Sequence, residues 1–490
     1  MSNQKPARTS FNLSVFLNGA STAINVVLLL VEGMIAGRFV TESNNGIFSI
    51  LISLIYFFMV FSDLGFKSGI TQRIASAPDE RKEDLANSTI TFRLLVTSIV
   101  AIFLWFSKDL IAAFQGFENI DAYMGYVIFM FFATSMDELM ISLLRGFQTH
   151  KPLATLQIVK AVTRLSTTAI LVLFFDLQLL ALIISWSFGL GLAAFIAYFS
   201  LPIKKRFFIN LKEIIEVIKF CRPLIVIRIV AFFRTYASNF LLVGLLTPEA
   251  VAFYAFAQKI PNGLQSLTES YNSVFYPRIT ELRANGDLEG ANNLLNNSLR
   301  ILSFLLGGVA LFGFVFGNEI MTLLFSETYS RIGYLFGLIL VGLQIQVVNS
   351  FIGFALTGAG SPKESSIVIS ASTPFMLGIN YALILSLANG VLGPALGIII
   401  EGTILNAVFK KVAQIHQYSI QSIQYIKSTI LMAIGIGASF FIEQMLNITD
   451  TTLMSWSLNI FLVLGYAGIA YLWKIITIED INFLTNLRKK

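Results

Sequence analysis

Residues 177–201 read LQLLALIISWSFGLGLAAFIAYFSL, 25 residues without a charged side chain. The hydrocarbon core of a bilayer is about 30 Å thick, and roughly 20 apolar residues cross it as a helix. In lipid the backbone finds no water, so a spanning stretch bonds its own amides and carbonyls and is helical. The flanks differ in charge, with Asp176 on one side and Lys204-Lys205-Arg206 on the other. Similar stretches recur along the chain and predict about 14 spans. They lie at about 12–37, 46–66, 88–107, 122–144, 152–175, 177–201, 220–246, 250–276, 298–317, 332–357, 365–387, 391–412, 426–445 and 453–473. The composition agrees. Of 490 residues 56% are hydrophobic and 13% charged, half the roughly 25% of a soluble chain. The expected fold class is therefore an all-α integral membrane protein.

Lys and Arg are retained on the cytoplasmic side of a membrane, so the loops set the orientation. Alternate loops are basic, holding Lys67, Arg73, Arg81, Lys82, Arg145, Lys151, Lys204, Lys205, Arg206, Lys212, Lys219, Arg222, Arg278, Arg283, Lys363, Lys410 and Lys411. Lys5 and Arg8 before the first span, and Lys474, Arg488, Lys489 and Lys490 after the last, belong to the same set. The opposite loops carry Glu42, Asp109, Glu118, Asp121, Asp176, Glu249, Glu319, Glu327, Glu443 and Asp450, with only Arg38, Lys108 and Arg331 among them. Both termini are thus expected in the cytoplasm. The first apolar stretch has no small-residue cleavage site and is expected to stay in the membrane.

Weak self-similarity relates the first six spans to the next six. Gly69-Ile-Thr-Gln-Arg73 and Arg93 are echoed by Val274-Phe-Tyr-Pro-Arg278 and Arg300. Val40-Thr41 with Gly46-Ile47-Phe48 is echoed by Leu246-Thr247 with Ala252-Phe253-Tyr254. Arg145-Gly146 to Lys151-Pro152 has a looser echo in Thr357-Gly358 to Pro362-Lys363. The expected organisation is a six-helix lobe at 1–209, an interfacial linker helix at 210–219, a second six-helix lobe at 220–415, and an extra hairpin with a basic tail at 416–490. Parallel repeats of this kind commonly enclose a site near the midplane and alternate its access by rocking.

Charges inside spans are costly and face protein or water. Five cations qualify: Lys160, Arg164, Arg228, Arg234 and Lys259. At about 1.5 Å per residue, Arg164 and Arg234 lie about 18 Å from the cytoplasmic ends of their spans, and Lys259 about 14 Å from the outer end. Each either meets a substrate or pairs with one of a few carboxylates, Glu32, Glu269, Glu401 and the Asp137–Glu138 pair. Arg93, Arg222 and Arg300, nearer the inner surface, read as side chains snorkelling to headgroups. Span eight carries a polar stripe, Gln258, Asn262, Gln265, Glu269 and Asn272. Span one carries Asn18, Asn25 and Glu32 at intervals of seven, and span ten Gln344, Gln346 and Asn349. Such stripes line water or bind helices together. An excess of deep cations suits a phosphate or diphosphate, which Arg holds bidentately and Lys as a point charge. Arg234 and Lys259 are the leading pair for one cleft between the lobes. Arg228, Lys160, Arg164, Gln258, Asn262, Gln265 and Asn25 are further substrate contacts, and Glu32 and Glu269 are candidates for ion coupling.

One cysteine, Cys221, and two histidines, His150 and His416, argue against a disulfide framework or a metal centre. No phosphate-binding loop motif is present, so nucleotide hydrolysis is not expected, and neither a cofactor nor a nucleic-acid partner is expected. The loops leave no room for a catalytic domain.

The exit of span two, Asp63-Leu64-Gly65-Phe66 followed by Arg73, the turn Thr41…Gly46-Ile47-Phe48, the exit Arg145-Gly146 and the layout of the spans resemble the Wzx-type oligosaccharide flippases. These belong to the multidrug/oligosaccharidyl-lipid/polysaccharide exporter superfamily. The resemblance covers essentially the whole chain. It implies two six-helix lobes around a cleft, a bacterial inner membrane, and no catalysis. It implies an undecaprenyl-diphosphate-linked oligosaccharide as cargo, for O-antigen, capsule or a related polymer. Membrane lipids, a polysaccharide polymerase and other assembly proteins are the implied partners. A flippase of the peptidoglycan precursor and a cation-coupled drug exporter are the alternatives. The second requires working carboxylates at Glu32 and Glu269.

Overall fold

The computed structural model describes residues 11–113, 120–446 and 453–476, and every regular element among them is helical. In chain order these are α1 (Phe11–Phe39), α2 (Glu42–Asp63), α3 (Phe66–Ser76), α4 (Asp79–Phe106), α5 (Lys108–Ala112), α6 (Ile120–Gly146), α7 (His150–Leu173), α8 (Gln178–Ser200), α9 (Leu211–Leu245) and α10 (Pro248–Ala257). There follow α11 (Lys259–Ala284), α12 (Leu288–Val315), α13 (Gly317–Leu324), α14 (Gly333–Gly358), α15 (Pro362–Ser386), α16 (Gly393–Ile415), α17 (Ser422–Leu446) and α18 (Leu453–Leu472). The termini with Lys5, Arg8, Arg488, Lys489 and Lys490, and the loop residues Glu118 and Asp450, lie outside the described residues, as do the side chains of Asn18, His150 and Glu443.

Twelve of the described helices are long and apolar enough to cross a membrane. The protein is a multi-pass membrane protein. Two of the 14 expected spans fall short of that measure. The last has only 17 described apolar residues, Trp456–Leu472. The eighth is divided by a turn at Gln258 into α10 and α11, and α11 carries the polar stripe that lowers its hydropathy.

The chain forms two compact units, Met1–Phe256 and Ala257–Lys490. The first takes in α9, whereas the sequence reading opened the second lobe at residue 220. The reason is close packing of α9 on α2, α3 and α4. Leu64 and Gly65 both have positive φ, 48° and 77°, and turn the chain sharply from α2 into α3. Gly65 and Gly69 then let α3 approach α9. A Cβ on Gly69 would collide with Sγ of Cys221, and one on Gly65 would lie 3.0 Å from the Cys221 carbonyl. The charged segment read as a separate interfacial helix is the first part of α9, one continuous helix of 35 residues. Asn210 caps it, its side chain accepting from the amides of Lys212 and Glu213.

A main-chain clamp fixes the route into α9. The Asn87 amide on α4 donates to the Lys204 carbonyl at 2.8 Å, and its oxygen accepts from the Arg206 amide at 3.2 Å. Thr91 and Ser88 take the Phe208 and Asn210 amides at 3.3 and 3.0 Å. Every second residue of an extended strand of chain is thereby bonded to one face of α4, which satisfies backbone groups that a loop leaves open. The second unit repeats the device within itself. Asn296 on α12 donates to the Ser419 carbonyl and accepts from the Gln421 amide, both at 2.8 Å, while Asn292 accepts from the Ser419 amide at 2.7 Å.

Candidate functional site

The polar interior of the first unit is built around the elbow between α2 and α3. Asp63 ends α2 and is 2% exposed. Its Oδ1 accepts from the Lys67 amide at 3.1 Å, which caps α3, and from Nη1 of Arg93 at 3.2 Å. Arg93, on α4, is only 1% exposed. It also donates to the Ser62 carbonyl and to Oγ of Ser135, the latter at 2.9 Å. Arg93 therefore does not snorkel. It is an internal brace among α2, α4 and α6. Arg300 is likewise buried, donating to the Ile475 carbonyl at 2.8 Å, whereas Arg222 is exposed. Distance along a helix had suggested access to headgroups, but lateral packing decides what a side chain meets.

The elbow sets two cations about one carboxylate. Lys67 Nζ lies 2.9 Å from Oε1 of Glu138, and Arg228 Nη2 lies 2.8 Å from Oε2. Arg228 also places Nε 3.8 Å from Asp63 Oδ2, an oxygen with no hydrogen-bond partner of its own. Lys67, Glu138 and Arg228 line a cavity of about 210 Å³ together with Tyr56, Ala231, Phe232, Thr235 and Tyr236. The charged groups of the wall are two cations, Lys67 and Arg228, and one carboxylate, Glu138, so the wall keeps one net positive charge, while Arg93 and Asp63 pair with each other behind it. The Lys67 side chain is 43% exposed and that of Arg228 19%, while Glu138 is nearly buried. The cations are thus the accessible partners.

The other candidates are placed as follows. Lys160 pairs with Asp137 at 2.8 Å. Arg164 pairs with Glu32 at 2.9 Å and lies 4.0 Å from the centre of the Trp186 ring. Thr168 and Ser185 extend that cluster, Thr168 bonding both Glu32 and Ser185. Glu32 is therefore an anchor joining α1 to α7. Asn25 and Arg234 are half-buried on α1 and α9. In the second unit Lys259 opens α11 half-buried, beside Gln258, and Asn262, Gln265 and Glu269 are exposed. Gln344 donates to Thr429 and Asn349 to the Gly402 carbonyl, so those two members of the span-ten stripe bind helices together. Lys67, Tyr56 and Tyr236 were not among the sequence candidates. Lys67 counted as a loop charge, and the tyrosines stood in apolar runs; the signal was that a buried tyrosine hydroxyl usually needs a partner.

An all-helical membrane protein whose interior presents cations around a cavity is the class defined so far. The chain belongs to the family of polysaccharide biosynthesis proteins, whose model matches residues 13–283. A relative from Haloferax volcanii, named "Probable low-salt glycan biosynthesis flippase Agl15", is 24% identical over 362 residues, covering 72% of this chain and 73% of its own length. Solved structures share the fold at low identity. "Lipid II flippase MurJ, inward closed conformation" is 14% identical, with a TM-score of 0.72 over 95% of this chain and 100% of its own. An inward-facing multidrug resistance MATE family transporter of the MOP superfamily is 12% identical, with a TM-score of 0.66 over 80% of this chain and 95% of its own.

Proposed function

We propose that the protein moves an undecaprenyl-diphosphate-linked oligosaccharide from the cytoplasmic to the outer leaflet by alternating access, serving O-antigen, capsule or a related polymer at the bacterial inner membrane. A polymerase and other assembly proteins then take up the cargo. The observation that carries the reading is the sharing of Glu138 by Arg228 and Lys67 at the wall of the cavity. Two accessible cations on one carboxylate make a site that a phosphate enters by displacing Glu138. Arg228 then offers its planar fork and Lys67 its mobile charge. Family membership and the named function of the Haloferax relative support the same reading. Arg234 and Lys259 remain proposed contacts to the cargo, each tested by itself.

The test is reconstitution in vesicles holding a fluorescent undecaprenyl-diphosphate sugar, with an added reductant bleaching only the outer leaflet. Each charged contact to phosphate contributes about 1.5–3 kcal/mol. The Arg228→Gln, Lys67→Gln double variant is expected to bind cargo roughly 100-fold more weakly or worse, and to leave about half the label protected. Arg222→Gln, at an exposed position, is expected to flip normally. Full flipping by the double variant refutes the assignment. Flipping of dye-labelled cationic drugs but of no lipid-linked sugar refutes the substrate class.

A further inference from the structure

The cavity is not uniformly charged, and its gradient follows one helix. Arg228, Ala231, Phe232, Thr235 and Tyr236 line it from α9 at intervals of three, one, three and one, a single stripe of that helix. From Arg228 to Tyr236 the stripe covers about 12 Å. Its first end is the cationic pair with Glu138. Its other end is aromatic and hydroxylated. Tyr236 stacks on Tyr56 of α2 with centroids 4.8 Å apart and planes 12° from parallel, and Phe232 stacks on Tyr236 at 5.9 Å. Tyr56 and Tyr236 each carry a phenol hydroxyl, and Thr235 adds a third hydroxyl-bearing side chain to the wall.

This order of groups matches one chemical unit. A phosphate ester of a sugar presents anionic oxygens, then within a few ångströms a ring with C–H faces and hydroxyls at its edge. Aromatic faces carry partial negative charge and attract polarised C–H groups, while tyrosine O–H groups donate to and accept from sugar hydroxyls. A cavity meant for phosphate alone has no use for the stacked tyrosines, and a cavity for lipid has no use for their hydroxyls.

We infer that this cavity recognises a glycosyl phosphate, with the phosphate oxygens at Arg228 and Lys67 and the first sugar ring against Tyr56 and Tyr236. The inference rests on the flippase reading for its phosphate end and adds the sugar end. Tyr56 and Tyr236 are specificity-determining residues. The cargo lies with its phosphate toward the N-terminal end of α9 and its glycan toward the C-terminal end.

The experiment uses the purified full chain in detergent and measures binding of inorganic phosphate and a panel of hexose 1-phosphates by calorimetry. At least one hexose 1-phosphate is expected to bind about tenfold more tightly than inorganic phosphate. A hydrogen bond contributes about 0.5–1.5 kcal/mol, so Tyr56→Phe and Tyr236→Phe are each expected to cut that preference by roughly two- to tenfold. The affinity for inorganic phosphate is expected to stay unchanged in both. Arg228→Gln is expected to weaken both kinds of ligand together. Equal binding of phosphate and every hexose 1-phosphate by the wild type overturns the sugar inference and leaves the phosphate site standing. Tyrosine variants that lose phosphate and sugar phosphate in equal measure overturn it as well. Unchanged phosphate binding in Arg228→Gln overturns the phosphate site itself, and the inference with it.

Discussion

Replacing Arg93 with methionine keeps much of the side chain's volume and removes its donated contacts to three oxygens at once. The guanidinium serves Asp63, the Ser62 carbonyl and the Ser135 hydroxyl from a position 1% exposed. Removing one partner of a buried ion pair strands the other, at a cost of about 3–5 kcal/mol. Asp63 keeps the Lys67 amide and the distant Arg228, which places the expected loss at the lower end of that range, about 3 kcal/mol. The same change at a snorkelling arginine costs well under about 1 kcal/mol, as for surface ion pairs. The two readings thus differ by a measurable margin. The assay is equilibrium unfolding in mixed micelles, with Arg93→Met, Asp63→Asn and the double variant forming a cycle. Asp63→Asn removes the stranded charge while leaving an oxygen to cap α3. The double variant is therefore expected to be more stable than Arg93→Met alone. A cost below about 1 kcal/mol for Arg93→Met, or strictly additive losses, refutes the brace.

Other outcomes follow from the same geometry. Glu138→Gln removes the carboxylate that phosphate must displace, so inorganic phosphate is expected to bind on the order of tenfold more tightly by calorimetry. Gly69→Ala forces a methyl into Sγ of Cys221 and is expected to cost about 1–3 kcal/mol of unfolding stability. Cys221→Ala restores most of that loss, because the Cys221 Cβ lies an ordinary 3.6 Å from the added carbon. Asn87→Ala and Asn296→Ala each unpair two main-chain groups, and amide exchange is expected to speed up at Arg206 and Gln421 respectively while the other clamp stays protected. Reporter fusions at Glu118, Glu249 and Asp450 are expected to read the outer face, and fusions in the segment 202–219 the cytoplasm.

The spans were legible because hydropathy is a property of a stretch, and 177–201 needs no partner to declare itself. The α8 helix, Gln178–Ser200, falls one residue inside that stretch at each end. What a span shows its neighbours was not legible. Asp63 and Arg93 are 30 residues apart on different helices, and no periodicity links them. Lys160 and Arg164 are one turn apart on α7, and the sequence offered each a substrate or a carboxylate without choosing; they part to Asp137 and Glu32. The break in the eighth span has a cause in the sequence, because Pro261, three residues after the turn at Gln258, has no amide hydrogen to bond the Ala257 carbonyl. Tyr56 and Tyr236 come together only because α9 packs on α2.

The clamps at Asn87 and Asn296 have an evolutionary consequence. Each side-chain amide holds a carbonyl and the amide two residues on, groups that every amino acid except proline supplies. The grip is therefore blind to the side chains of the strand it holds. Substitution at Lys204, Phe207 or Ser419 leaves the trace of the chain unaltered, and those positions are free to drift with the lipids and partners of each host. Insertion or deletion of one residue is different, since it changes which amide meets the asparagine. These connectors should vary in composition among descendants and hold constant in length.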